Sequence, residues 1–325
     1  MQTSTLGRTG RDVSVIGLGA WQIGDAWGPV GDDDARDVVR SAVDAGMTFI
    51  DTADSYGAGR SERIIGDQVG DDPNVFVATK MGRRAEQVPE NYTMDNFRTW
   101  IADSKANLGT DRIDLIQLHC PPTEVLEDDA VFAALDELVD EGLIGHYGVS
   151  VETTDQALLA IGRENVATVQ IVLNCLRLKP LERVLPTARM HGVGIIARVP
   201  LASGLLSGRF DENTTFAADD HRNFNRSGEA FDVGETFAGV PYDVGLSAVA
   251  NLRELVPEGM SLAQFALRWV MDQPGVSTVI PGARTPAQAR ANAAVADLDM
   301  LSDEHFAGVR RIYDDLVRPH VHHRW

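Results

Sequence analysis

With 325 residues and 44% hydrophobic content, the chain is long and apolar enough to bury a sizeable core, which excludes a disordered segment or a stapled mini-protein. Its net charge of −19 comes from 32 Asp and 16 Glu against 26 Arg and 3 Lys, a balance that argues against a nucleic-acid partner. No apolar run approaches the ~20 residues of a membrane span, the N-terminus lacks the apolar core of a signal peptide, and Cys120 and Cys175 show no CxxC spacing, so a cytoplasmic protein with reduced thiols and no membrane partner is expected.

Residues 2–14 carry the turn GRTGR and predict a small N-terminal hairpin. Short apolar, often β-branched runs then predict strands over residues 13–19, 47–53, 75–80, 113–119, 144–150, 166–173, 193–200 and 276–282. Helical-period segments lie between them, near residues 33–45, 60–69, 94–108, 126–141, 154–162, 181–191 and 242–273, with a last pair over 285–294 and 302–316. Strands alternating with helices predict a parallel sheet, and eight such units fit a (β/α)8 TIM barrel forming one domain over residues 1–325, with the hairpin plugging its bottom. An open doubly wound sheet is the alternative; neither GLGAWQ (17–22) nor GAGRSE (57–62) has the third glycine of a dinucleotide-binding turn. Residues 203–240 form a long polar loop after the seventh strand, of a length that is usually functional or mobile.

A barrel places its chemistry at the C-terminal strand ends. The second predicted strand ends at Asp51, with Tyr56 in the turn beyond; the third ends at Lys80 and the fourth at His119. Singly, each has an ordinary structural role; on adjacent strands they converge on one mouth. A buried amine beside a phenol stabilises phenolate and is expected to lower the tyrosine pKa. A carboxylate keeps that amine charged, and an imidazole orients a carbonyl. Such a group can protonate a carbonyl oxygen but has no electrons to give, which implies a hydride cofactor. The lysine scarcity fits: in a chain that writes Arg almost everywhere, Lys80 stands where a compact amine is needed. No zinc-like Cys/His spacing is present, and no metal is expected.

The stretches FIDTADSYGAGRSERIIG, VATK and LIQLH resemble the aldo-keto reductase family, and the resemblance runs from VIGLGAWQIG to VIPGARTPAQARAN. It implies a nicotinamide-dependent carbonyl reductase with Asp51, Tyr56, Lys80 and His119 as its tetrad and Tyr56 as the acid. It also implies that Ser150, Gln170 and Asn174 hold the nicotinamide, with Trp21 and Arg198 beside it. By the same resemblance Pro200, Leu201, Ser203, Gly204, Leu205 and Ser207 clasp the pyrophosphate, while Gly282, Arg284, Gln288 and Asn292 meet the adenosine end. Arg284 at a helix start suits a 2′-phosphate, so NADP(H) is the expected cofactor, with NAD(H) possible because Gly282 and Gln288 depart from basic residues common in relatives. The family often has an aromatic where Arg198 stands and Asn where Val151 stands. Trp21 and Trp27 are expected to wall a pocket for a small carbonyl substrate, and the tail HVHHRW to fray near its mouth. A nicotinamide-binding regulatory subunit and a Lys80 Schiff-base lyase are the competing readings. The dense carboxylate surface is expected of a protein adapted to molar salt, the alternative being an ordinary acidic cytosolic protein with an Arg-rich codon bias.

Overall fold

A computed structural model of the chain describes residues 1–24, 27–28, 30–70 and 72–325. Strands β1 (Thr3–Thr5) and β2 (Asp12–Ser14) pair antiparallel as the N-terminal hairpin. Eight further strands, β3 (Leu18–Gly19), β4 (Phe49–Asp51), β5 (Phe76–Met81), β6 (Ile113–His119), β7 (Ile144–Ser150), β8 (Thr168–Val172), β9 (Gly194–Arg198) and β10 (Val276–Val279), run parallel in sequence order. The first and last of these meet through parallel bridges Ile16–Val279 and Gly19–Gly282, with Gly17 N donating to Val279 O at 2.8 Å. That seam closes the sheet into a barrel and overturns the open doubly wound alternative.

The first predicted strand, 13–19, divides: Asp12–Ser14 belongs to the hairpin and Leu18–Gly19 to the barrel. The helix expected over 242–273 is two, Tyr242–Arg253 and Leu262–Met271, because Pro257, Glu258 and Gly259 interrupt the period. The segment 126–141 likewise begins a new helix at Asp129, capped by the Asp128 side chain. The outer helices face the barrel along apolar stripes; in Asp32–Asp44, Ala35, Val38, Val39 and Ala42 are buried and the first turn carries Asp32, Asp33 and Asp34 at the positive end of the helix.

The barrel interior is graded along its axis by the two-residue strand period. Its lower end is an apolar cluster of Leu6, Val13, Phe49, Phe76, Ala78, Leu115, Ile196 and Ile280, so the hairpin contributes two side chains to the plug. Two residues further along the same strands stand Asp51, Lys80, Gln117 and Arg198, all buried. Gly7 permits the plug to seat: a Cβ there would lie 2.0 Å from Gly194 N. Among the described residues no helix is long and apolar enough to cross a membrane.

Candidate active site

Seven non-glycine residues among those described have positive φ: Ala58, Cys120, Val199, Ala202, Ser203, Phe237 and Ala238. All lie in segments that follow β4, β6 or β9, on the C-terminal rim. Val199 is β-branched at φ 52°, a conformation that costs roughly 1–3 kcal/mol and persists only where surroundings impose it. Backbone strain therefore gathers at the end of the barrel where the polar interior residues also stand.

There the structure joins Asp51, Lys80 and Tyr56 in one chain of contacts. Lys80 Nζ donates to Asp51 Oδ1 at 2.5 Å, to Thr52 O at 2.7 Å and to Tyr56 Oη at 3.3 Å. The second Asp51 oxygen accepts from Gln117 Nε2 at 3.0 Å and Gln170 Nε2 at 2.7 Å. Burial works against the Lys80 charge, but Asp51 and Tyr56 together outweigh it and its pKa is raised. An ammonium held this firmly is a poor Schiff-base nucleophile, which counts against the lyase reading.

Tyr56 differs from expectation. Burial raises its pKa, and the pull of Lys80 in the opposite direction does not compensate. The phenol thus keeps its proton at neutral pH. His119 packs edge-on against it, ring centroids 5.9 Å apart. Burial, then the charges of Arg83, Lys80 and Arg198, push the imidazole well below its ordinary pKa, so it is neutral; its buried Nδ1 has no hydrogen-bond partner.

The predicted cofactor residues divide by what their side chains already do. His119, Ser150 and Gln170 stand in register on β6, β7 and β8. Gln170 donates to Asp51 and Gln117, so it is part of the carboxylate's support. Asn174 donates to Val199 O, and the Ser203 hydroxyl bridges Glu235 O and Phe237 N. Pro200 and Leu201 lead into a tight turn, Ala202–Ser207, that contains Gly204 and Leu205. Gln288 Oε1 accepts from Arg284 N at 2.8 Å and Asn292 Nδ2 donates to Gly282 O, so both shape the turn that carries Arg284. Gly282 leaves the space that the Gln22 amide fills, and a Cβ there would displace that side chain.

Arg198 is engaged in a buried ion pair at the rim. Its guanidinium pairs with Glu235, which the long loop brings back to the rim, and donates to Val151 O at 3.0 Å. Trp21 stacks on Tyr56, at 6.2 Å and 21°. Trp27 packs its ring against Trp21, His221 and the Arg222 guanidinium. Phe231 of the same loop touches Trp21 edge-on. The tail is not frayed: Trp325 is 5% exposed, stacks on Arg177 at 3.7 Å and donates to Asp232. Gln117 was legible as a polar residue sharing the inward face of β6 with His119; Glu235, Arg83 and Glu152 carried no local signal.

The family model for the aldo/keto reductase family matches residues 15–314. The chain belongs to the aldo-keto reductase family. It is 32% identical to the aldo-keto reductase YhdN of Bacillus subtilis over 313 residues, 94% of this chain and 91% of that protein. Among solved structures it is similar to the glycerol dehydrogenase of Gluconobacter oxydans, with a TM-score of 0.78, 30% identity and coverage of 98% and 96%. It is also similar to an aldo-keto reductase from Klebsiella pneumoniae in complex with NADPH, with a TM-score of 0.69, 26% identity and 96% of each chain covered. The barrel of this aldo-keto reductase thus has solved counterparts over nearly its whole length.

Proposed function

We propose that this chain reduces an aldehyde or ketone to the alcohol, reversibly, with NADPH as the preferred hydride donor. The observation that carries the reading is the continuous contact Asp51–Lys80–Tyr56 beside a neutral His119. Tyr56 gives its proton to the carbonyl oxygen as negative charge builds there. Lys80 stabilises the phenolate left behind, and Asp51, held by Gln117 and Gln170, keeps Lys80 charged and placed. His119, neutral, orients the same oxygen by hydrogen bonding.

The residues present fit a nicotinamide dinucleotide. Ser150 and Gln170 stand in register beside His119 for the nicotinamide end, with Asn174 near. The turn of Ser203, Gly204, Leu205 and Ser207, left-handed at Ser203 and Gly204, is the segment that would meet the pyrophosphate. Arg284 precedes the helix Pro286–Ala293, where amides and a guanidinium together suit a 2′-phosphate. When bound, the reduced nicotinamide supplies the hydride.

The test is a tryptophan-fluorescence titration with NADPH and with NADH, followed by addition of p-nitrobenzaldehyde. Tighter NADPH binding, oxidation of the bound cofactor on adding aldehyde, and an Arg284→Ala variant weakened about tenfold to a hundredfold for NADPH alone are expected. Tight binding with no turnover of any carbonyl would overturn the enzymatic reading in favour of a nucleotide-sensing subunit.

A further inference from the structure

The N-terminal end of the barrel, opposite the tetrad, carries a cavity of about 420 Å³. Three segments meet there: the hairpin turn at residues 9–11, the loop that enters β5 and the loop that enters β6. The volume falls in the range of pockets that take small organic ligands. Apolar side chains of Val69, Val75, Leu108 and Ile113 form part of its wall. Its titratable and charged groups are Arg11, Asp72, Arg112, Asp114 and His146. None of the tetrad or of the predicted cofactor residues lines it.

These groups come from separate elements and act on one another. Arg11 belongs to the hairpin turn, Arg112 to the loop before β6, Asp114 to β6 and His146 to β7. Asp114 feels the charges of Arg112, Arg11 and His146, and His146 feels Arg112. Asp114 and His146 are half-buried, whereas both arginines are exposed. The carboxylates are committed to backbone amides: Asp114 Oδ2 accepts from Val77 N at 3.0 Å, and Asp72 Oδ1 from Asn74 N at 2.9 Å. Burial, then the Arg112 charge, lowers the His146 pKa, so the imidazole is neutral at pH 7. The cations are not matched in this way. Arg11 donates to a carbonyl, Pro73 O. Thr110 Oγ1 donates to Arg112 O at 3.0 Å and fixes that turn, but the Arg112 guanidinium makes no hydrogen bond or ion pair among the described residues.

We infer that this cavity is a binding site for a small organic anion, a carboxylate or a phosphate monoester on an apolar body, held by Arg11 and Arg112. A guanidinium presents paired N–H donors in one plane, which matches both kinds of oxyanion. The apolar body gains from covering Val69, Val75, Leu108 and Ile113. Neutral His146 adds one donor and one acceptor for a polar substituent. An uncharged ligand would cover the Arg112 guanidinium without replacing its water, which is unfavourable. An organic cation would face both arginines and find the acidic side chains already engaged. The site is independent of the reductase reading, since it shares no residue with the catalytic end. Both arginines are exposed, so the attraction is screened by salt and the affinity is modest, with a Kd on the order of 0.1–1 mM at about 0.1 M salt.

The experiment follows the His146 ring Cε1–H resonance by NMR, assigned with His146→Gln, as the full chain is titrated with phenyl phosphate, benzoate, inorganic phosphate, benzyl alcohol and benzylamine up to about 10 mM. Phenyl phosphate or benzoate should shift the resonance saturably, inorganic phosphate should bind more weakly, and benzyl alcohol and benzylamine should leave it in place. The tighter of the two aromatic anions distinguishes a phosphate ligand from a carboxylate. In Arg112→Gln, which removes a guanidinium that no described residue uses, the Kd should rise about tenfold with the Tm unchanged. In Arg11→Gln/Arg112→Gln the response should be lost; if that variant does not fold, Arg112→Gln decides. An equal Kd in Arg112→Gln and the parent would overturn the assignment. Inorganic phosphate binding as tightly as phenyl phosphate would mean an adventitious ion only. A response to benzylamine but to neither anion would overturn the inference in favour of an acidic site. A shift at His119 with His146 unmoved would put the anion at the catalytic end, and no shift with any probe would leave the cavity without a ligand of this class; either overturns it.

Discussion

Lys80 and Tyr56 are each buried against a partner, and the balance differs between them. For Lys80 the carboxylate wins over burial; for Tyr56 burial wins over the ammonium. A phenol with a raised pKa is a proton donor across the neutral range. Carbonyl reduction should therefore show no loss of rate from the acid side of neutrality up to the ordinary tyrosine range, about pH 10, and decline only beyond it, while alcohol oxidation, which needs phenolate, should climb with pH. An oxidation rate that falls toward alkaline pH would remove Tyr56 from the acid–base role. Tyr56→Phe should lower turnover by about a thousandfold or more with cofactor affinity preserved, measured by single-turnover kinetics and fluorescence titration. Asp54 makes a separate prediction. It is fully buried, neither carboxylate oxygen has a hydrogen-bond partner, and burial followed by the Glu62 charge pushes its pKa from 3.8 to about 7. The folded state thus holds a proton that the unfolded chain releases, so stability falls as pH rises from about 4 to about 7 and then levels. Denaturant melts of Asp54→Asn should lack that decline, and equal slopes for the two proteins would contradict it. These residues were legible to different degrees. Asp51, Lys80 and His119 announce themselves because ionisable side chains end apolar strand runs. Asp54 and Glu62 do not, since an acid in a turn or on a helix reads as solvated until the packing buries it.

The loop after β9 behaves as an element of the site, although the sequence shows only its polarity. It is held at three points: Glu235 to Arg198, its backbone at Glu235 and Phe237 to the Ser203 hydroxyl, and Asp232 to Trp325. Gly239, at φ 75°, leaves room for the Trp325 ring, which a Cβ would meet at 2.2 Å. Gly239→Ala should then cost about 2 kcal/mol or more, from left-handed strain plus displacement of the ring, read as a lowered Tm. Glu235→Ala leaves the Arg198 guanidinium buried without its carboxylate partner, at roughly 3–5 kcal/mol if the loop stays in place. Release of the loop is the cheaper response. Trypsin should then cut at Arg222 and Arg226 in the variant faster than in the parent, and unchanged cleavage would mean that the loop does not depend on this pair. None of these anchors could be read in advance. The barrel strands repeat a local pattern, whereas Glu235, Trp325 and Ser203 meet only after the chain has closed on itself. The divided helix at 242–273 shows the converse, for Pro257 and Gly259 are local breakers in an apolar period that otherwise runs through them.

At the scale of the whole molecule, the net charge of −19 acts on every element at once. Part of it gathers on exposed helix starts: Asp32, Asp33 and Asp34 stand together in one first turn, where Arg60 pairs with Asp32 and Arg36 with Asp33. In dilute buffer such charges repel over the Debye length of about 10 Å at 0.1 M, and the compact state bears more of that repulsion than the unfolded chain. Added salt should therefore raise the Tm, and the form of the rise separates two causes. Simple screening acts through ionic strength, is largely complete by about 1 M where the Debye length is about 3 Å, and is the same for KCl and NaCl. Adaptation to a salt-rich cytoplasm predicts a further rise beyond that concentration, with activity following stability. The measurement is a thermal melt and a turnover assay at KCl concentrations from about 0.05 M to about 3 M, with sucrose as an uncharged control for exclusion from the surface. Saturation by about 1 M assigns the acidic surface to self-repulsion alone. A flat Tm throughout would show that the carboxylates are already balanced by their neighbours, and that the preference for Arg over Lys reflects coding composition rather than the solvent in which the barrel folds.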